Sequence, residues 1–197
     1  MRMPKNELIF REEDHSYWIG ERRLLSVTQA LHILDDRPKI DPWYLQRGTF
    51  IHKATEYLDR DELDLQTLDD RILPYFNAYV KFREDTRFAV TDIEYPLYHP
   101  EYFYAGKIDR LGFLNNRLVL VDLKSGTKAK VDELQIAAYW ELCRANHNDE
   151  RNLNVKDAFV LYLKEDSNYS IVKIERPRLL LPIFLACLTV IRFKEGL

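Results

Sequence analysis

The run Val119-Leu120-Val121 constrains the fold more than any other segment, because three apolar residues follow one another without a break and stop abruptly at Asp122-Leu123-Lys124. A strand with one wet face alternates apolar and polar residues; an unbroken run suits a strand covered on both faces. Such a strand is buried on both faces. Two extended runs precede it, "FAVTDIEYPLYHP" and "YFYAGKIDRLGFL", joined by a Pro100-Glu101 turn. The second leads into "RLVLVDLKSG" through Asn115-Asn116, a two-residue hairpin signal, so the three form an antiparallel meander. "VDELQIAAYWELCRANH" then reads as an amphipathic helix, and "DAFVLYLKED" and "NYSIVKIE" as two further strands.

Upstream, "ELIFREEDHSYWIGERRLLS" alternates around a Gly20-Glu21 turn as a β-hairpin does, and Ser26 is placed to cap a short helix, "VTQALHIL". Asp41-Pro42 opens a second helix, with Trp43, Leu45, Ile51 and Leu58 as core candidates and Gly48 as a break or bend. A third helix, over about 68–84, places Leu73, Phe76, Tyr79, Val80 and Phe82 at helical spacing. The apolar stretch Leu179 to Ile191 has 13 residues and contains Pro182, against the roughly 20 that a membrane span needs, and reads as a buried helix. The expectation is a mixed α/β fold in a single domain over 1–197, with a hairpin and helical part at about 1–86 and a sheet core at about 87–197.

Composition excludes several classes. Hydrophobic residues at 46% and charged residues at 31% are those of a globular protein, not a disordered one. The N-terminus lacks the apolar core of a signal peptide, so a cytoplasmic setting without membrane contact is expected. Two cysteines, Cys143 and Cys187, without CxxC spacing, leave no disulfide framework, zinc finger or iron–sulfur cluster and read as core thiols. A net charge of −3 gives no global field for nucleic acid, yet residues 105–130 hold six basic residues against two acids, a local charge of +4. Those two acids are Asp109 and Asp122.

Side chains alternate along a strand, so Asp122 and Lys124 share a face, and pairing within the hairpin brings Asp109 beside them. Two carboxylates there suit a hard cation with phosphate oxygens; the competing reading is an ordinary ion pair of Asp109 with Arg110 or Lys124. The apolar run favours the first, because a casual charge next to a doubly covered strand is costly. Gly106 and Gly126 suit tight turns or close approach of a ligand. His52 and Glu56 lie one turn apart on a helix, as do Gln135 and Tyr139. Glu94, another acid near the end of its strand, reads first as an ordinary strand acid and second as a site residue, and His15, His32, His99 and His147 have no comparable context.

"GKIDRLGFLNNRLVLVDLKSG" followed by "ELQIAAY" resembles the PD-(D/E)XK nuclease superfamily, and in detail its RecB-type exonuclease branch. That branch carries G-x-x-D, D-x-K and Q-x-x-x-Y in this order, here Gly106 to Asp109, Asp122 to Lys124, and Gln135 with Tyr139. "RGTFIHKATEYL" resembles its first motif and "SVTQAL" an early segment of phage-encoded members, so the similarity spans about 26–164. It implies a restriction-endonuclease-like core, a central mixed sheet flanked by helices, and a compact stand-alone enzyme. It further implies one or two Mg²⁺ or Mn²⁺ ions held by His52, Asp109, Asp122 and the Leu123 carbonyl. Lys124 would act on the attacking water and the scissile phosphate, with Gln135 holding the lysine or the phosphate and Tyr139 lining the cleft. Glu56 stays open between ligand, partner of the imidazole and surface acid. Ile108 stands where the family name has proline, and the cluster-binding cysteines of some relatives are missing. The implied function is a metal-dependent DNA exonuclease. A structure-specific endonuclease and a non-catalytic nucleic-acid-binding module are its alternatives; a helical-bundle metal site on His52–Glu56 lacks the repeated Glu-x-x-His it needs. Trp43, Tyr44, Phe50, Tyr102, Phe103 and Tyr104 are candidates either for stacking on unpaired bases or for the core.

Overall fold

The computed structural model describes residues 7–34, 41–146 and 153–196, which leaves His147 outside the described residues. The chain runs β1 (Leu8–Arg11), β2 (Ser16–Ile19), β3 (Arg22–Ser26), α1 (Val27–Leu31), α2 (Pro42–Asp59), α3 (Leu73–Thr86), β4 (Ala89–Tyr98), β5 (Tyr104–Leu114), β6 (Arg117–Lys124), α4 (Lys130–Ala145), β7 (Asp157–Leu163), β8 (Tyr169–Lys173) and α5 (Pro177–Glu195). It is a mixed α/β fold, a central eight-stranded mixed sheet with helices on both faces.

The doubly covered strand is β6. Leu120 packs into a core with α1, α4 and α5, beside Ile108, Leu111, Ala138, Leu142 and Phe184. Val119, Val121 and Leu123 pack the opposite way, against Ile51, Phe76, Tyr79 and Phe82 of α2 and α3. The meander is antiparallel, and β6 continues into a parallel pairing with β7 across α4. Both Asn115 and Asn116 take left-handed φ, 50° and 60°, which the two-residue hairpin loop demands. Gly112 is required by close approach: a Cβ there would lie 2.4 Å from the Ala89 carbonyl oxygen.

One asymmetry of this sheet positions everything that follows. β4 covers one edge of β5 from Ala105 to Phe113. The other edge is shared: β3 runs parallel to Tyr104–Ala105, and β6 runs antiparallel to Arg110–Leu114. Between them, Gly106 to Asp109 have no strand partner on that side among the described residues.

Local signals hold where chemistry dictates them. The Ser26 hydroxyl accepts the Gln29 N–H while the Gln29 side chain accepts the Ser26 N–H, and the Asp41 carboxylate caps α2 with Pro42 at its first position. Other expectations are corrected. The N-terminal segment is a three-stranded ribbon, since Glu12–His15 turns as well. α2 runs unbroken through Gly48, which faces Ser125, and Leu45 is 66% exposed. α3 starts at Leu73, five residues late, and leaves Leu73 partly exposed. α5 is buried only along Phe184, Cys187 and Leu188, while Leu179, Ile183 and Phe193 face outward. Among the described residues no helix is long and apolar enough to cross a membrane.

Candidate metal centre

The unpartnered edge of β5 ends at Asp109, and there the Asp109 carboxylate takes over the role of a strand. Its Oδ2 accepts the Leu123 N–H of β6 at 2.7 Å, satisfying a buried donor past the last β5–β6 pair, Arg110 with Val121. His52 reaches the same point from α2, whose Ile51, Ala54 and Thr55 pack inward. The Leu123 carbonyl can only accept, so His52 Nε2 donates to it at 3.1 Å and the proton stays on that nitrogen. This turns Nδ1 toward two carboxylates, Asp109 Oδ2 at 3.7 Å and Glu94 Oε1 at 3.8 Å. Glu94 projects from β4 at a left-handed φ of 49°, just past a register shift between Val90 and Asp92.

His52, Glu94 and Asp109 thus offer one nitrogen and two carboxylate oxygens within 4.8 Å of one another, a set that could hold a metal ion. Burial alone would lower the His52 pKa, and the Asp109 and Glu94 charges more than reverse it. For Glu94, burial works upward, but His52 and Lys107, whose Nζ is 3.0 Å away, bring its carboxyl down to about 2.

Asp122 and Lys124 lie beside this group on β6. The Asp122 carboxylate is 1% exposed; Lys124 Nζ answers its Oδ2 at 2.5 Å, and its Oδ1 has no hydrogen-bond partner among the described residues. Burial, reinforced by Asp109 and only partly offset by Lys124, pushes Asp122 up to about 6. A buried carboxylate with one oxygen unanswered, beside three convergent N and O donors, fits a cation, and no sulfur ligand is among them. Lys124 keeps a 24% exposed side chain, enough to meet a substrate.

The wall behind the carboxylates is a buried guanidinium. Arg110 is fully buried; its Nε donates to Asp59 Oδ2 (2.5 Å), its Nη1 to the Asp109 carbonyl (2.6 Å) and Glu94 Oε1 (3.4 Å), and its Nη2 to Thr55 Oγ1 (3.0 Å). Arg110 therefore binds the Asp109 backbone and the Glu94 carboxylate at once, and it does not pair with the Asp109 carboxylate. Asp59 is shared with Arg83 and with the Tyr79 hydroxyl.

The sequence-derived residues fall into three groups. His52, Asp109, Asp122, Leu123 and Lys124 come together. Gln135 and Tyr139 meet each other, Nε2 donating to the hydroxyl at 3.1 Å, and the Tyr139 ring lies where a Cβ on Gly106 would come within 2.6 Å of it. The close approach expected at Gly106 is thus made by a tyrosine of α4. Glu56 is held by Lys53 and Arg60 at 3.1 and 3.0 Å, apart from the three convergent donors. Leu123 gives its carbonyl to His52. Sequence reasoning misses the parts played by Glu94, Arg110 and Asp59: Glu94 depends on a register shift that has no sequence mark, whereas the Asp109-Arg110 dipeptide in an apolar strand is a usable signal for buried partners.

Comparison with known proteins places this geometry. The model of the PD-(D/E)XK nuclease superfamily matches residues 25–179. No curated protein matches. Among solved structures, the chain is similar to an alkaline exonuclease, LHK-Exo, from Laribacter hongkongensis, at 14% identity over 82% of this chain and 76% of that one, with a TM-score of 0.38. It is similar to the same exonuclease in complex with dAMP, at 12% identity, 88% and 93% coverage and a TM-score of 0.37. A third, SSO0001, shares 11% identity over 83% and 84% of the chains, with a TM-score of 0.34. With the family model covering well over half of its length, and the Asp109, Asp122 and Lys124 motifs inside the match, this chain belongs to the PD-(D/E)XK nuclease superfamily.

Proposed function

We propose that the protein is a divalent-metal-dependent deoxyribonuclease, most closely an exonuclease of the RecB type, that hydrolyses phosphodiester bonds in recombination, repair or phage DNA processing. The observation that carries the reading is the convergence of His52, Glu94 and Asp109 where β5 and β6 part, beside the buried Asp122–Lys124 pair. His52 Nδ1, Glu94 and Asp109 would hold the ion, with Asp122 as a further carboxylate and Glu56 outside the set. Bound there, Mg²⁺ or Mn²⁺ would supply activation of water and neutralisation of charge on the phosphate.

The chain's own residues do the positioning. The Leu123 carbonyl keeps Nε2 protonated and Nδ1 free to bind. Asp109 answers the Leu123 N–H with one oxygen, which fixes its carboxylate against β6. Lys124, anchored by Asp122, presents its ammonium to the scissile phosphate and the attacking water, an electrostatic contribution preorganised before substrate arrives. Gln135 and Tyr139 form the α4 wall of the cleft. The four motifs in order support the exonuclease branch, and a terminus-dependent enzyme spares closed circular DNA. End-labelled linear single- and double-stranded DNA beside closed circles, with Mg²⁺, Mn²⁺ or EDTA, tests both levels. Metal-dependent shortening of linear DNA alone is expected; nicked circles would make it an endonuclease, and binding without products a non-catalytic module.

A further inference from the structure

A second cluster of cations lies away from the metal centre. Arg22 and Arg23 of β3, Arg192 of α5, Leu25 and Phe103 line a cavity of about 260 Å³. Two of its guanidinium groups, those of Arg22 and Arg192, are held in place by neutral partners. Arg22 lies over the Phe103 ring, 3.9 Å from its centroid. Arg192 Nη2 donates to the Tyr102 and Phe103 carbonyls at 2.6 and 2.8 Å. Among the described residues no carboxylate forms an ion pair with Arg22, Arg23 or Arg192, although Arg23 acts at longer range on Asp14. Burial and the charge of Arg22 push the Arg192 pKa down, the mark of cations brought together without an anion.

Topology puts this pocket and Lys124 toward the same end of the sheet. β5 and β6 are antiparallel, so the start of β5 and the Lys124 end of β6 lie at the same end of the sheet. Phe103 precedes β5 and Asp109 is six residues further on, about 20 Å of extended chain at roughly 3.3 Å per residue. A duplex rises about 3.4 Å per nucleotide, so that span is about six nucleotide steps. Resting on the nuclease reading above, we propose that the Arg22–Arg192 pocket binds a backbone phosphate of the substrate strand, about six nucleotides from the bond at the metal centre. Guanidinium forks are the side chains that match phosphate oxygens bidentately, and the aromatic floor under Arg22 keeps its fork oriented.

The test is strand binding by the full chain in EDTA, where no metal-dependent step can contribute. Wild type and the double variant Arg22→Gln with Arg192→Gln are titrated with labelled DNA of about 20 nucleotides and of about 4 nucleotides across a range of salt. The variant should bind the long strand on the order of tenfold more weakly, with the log–log salt slope shallower by about 0.7 to 0.9 for each phosphate that is no longer neutralised. The fold loss should fall toward one on the short strand, which cannot span both sites. Arg192→Lys, which keeps the charge, should recover part of the affinity; thermal melts confirm that each variant is folded. Unchanged affinity and slope, or an equal loss on both lengths, would overturn the proposal. A melting shift with inorganic phosphate that the double variant loses, without any strand dependence, would assign the pocket to free phosphate instead. If the variants weaken long-strand binding but wild type yields no products with Mg²⁺ or Mn²⁺, the nuclease reading fails while the pocket stands.

Discussion

The two halves of one edge of β5 behave in opposite ways. From Arg110 to Leu114 the edge is closed by β6, and the Leu111–Leu120 pair sits in the apolar core. From Gly106 to Asp109 it is open, and His52, Glu94, Asp109, Asp122 and Lys124 gather around the gap. The closed half exchanges backbone hydrogen bonds and buries aliphatic surface, so it stabilises the fold. The open half leaves Leu123 N–H and C=O to be answered by Asp109 and His52. Two side chains take the place of a missing strand, and this brings ligands together. The site is a local interruption of the sheet, and substitutions in the two halves should separate activity from stability.

The largest effect is expected at Lys124. Lys124→Ala should lower kcat by about 10³-fold, the scale for losing a preorganised charge at the reacting group. It should also cost roughly 2 kcal/mol in apo stability, below the range for a fully buried pair because Lys124 is 24% exposed, since Asp122 loses its counter-charge. Adding Asp122→Asn should restore the melting temperature and not the rate, which denaturant unfolding and a cleavage assay read separately.

The closed half should show the reverse. Leu120→Ala, at a position with no exposure, should cost about 2–5 kcal/mol in urea unfolding and leave the Mn²⁺ affinity of the folded fraction unchanged. Arg110→Lys probes the boundary between the halves. A lysine cannot bind Asp59, Thr55, Glu94 and the Asp109 carbonyl together, so Mn²⁺ affinity should fall about 10–100-fold, measured by calorimetry on folded protein, with partial rescue of cleavage at high Mn²⁺.

Glu141, on α4 away from the opening, gives a pH signature of its own. Burial raises its pKa, but hydrogen bonds from Arg144 and the nearby His99, with Nε2 3.5 Å away, outweigh it and bring the carboxyl down to about 2 from 4.5. A folded pKa below the unfolded one means stability that is present above the unfolded value and lost as pH falls toward about 2. Glu141→Gln should flatten the acid limb of an unfolding-versus-pH curve between those values. The smallest effect is expected at Glu56, whose partners Lys53 and Arg60 are 54% and 42% exposed. Glu56→Gln should stay within about 0.5 kcal/mol and about twofold in rate.

Much of this architecture is legible in the chain because short-range chemistry dictates it. The Asn115-Asn116 turn, the Ser26 cap and the doubly buried Val119–Val121 run each require one local conformation, and each takes it. Asp122 and Lys124 share a face because strand alternation allows nothing else. Glu94 is different: whether it faces His52 depends on the register shift at Val90/Asp92 and on its own left-handed backbone, neither of which has a side-chain signature. α5 misleads for a related reason. Its apolar residues go all round the helix, and composition does not say that only the Phe184–Leu188 side finds a covering partner. Leu45 and Gly48 show the same limit on α2, where the inward direction is set by Ile51 and Ala54.

On the reading proposed above, the open half of the β5 edge is a divalent-metal site built from His52, Glu94 and Asp109. Calorimetric titration of Mn²⁺ into the full chain and into Asp109→Asn and Glu94→Gln tests it most directly. Wild type should bind saturably, and both near-isosteric variants should bind at least about tenfold more weakly while they remain folded. Wild-type affinity in both variants, or no saturable Mn²⁺ binding by folded wild-type protein, would contradict it.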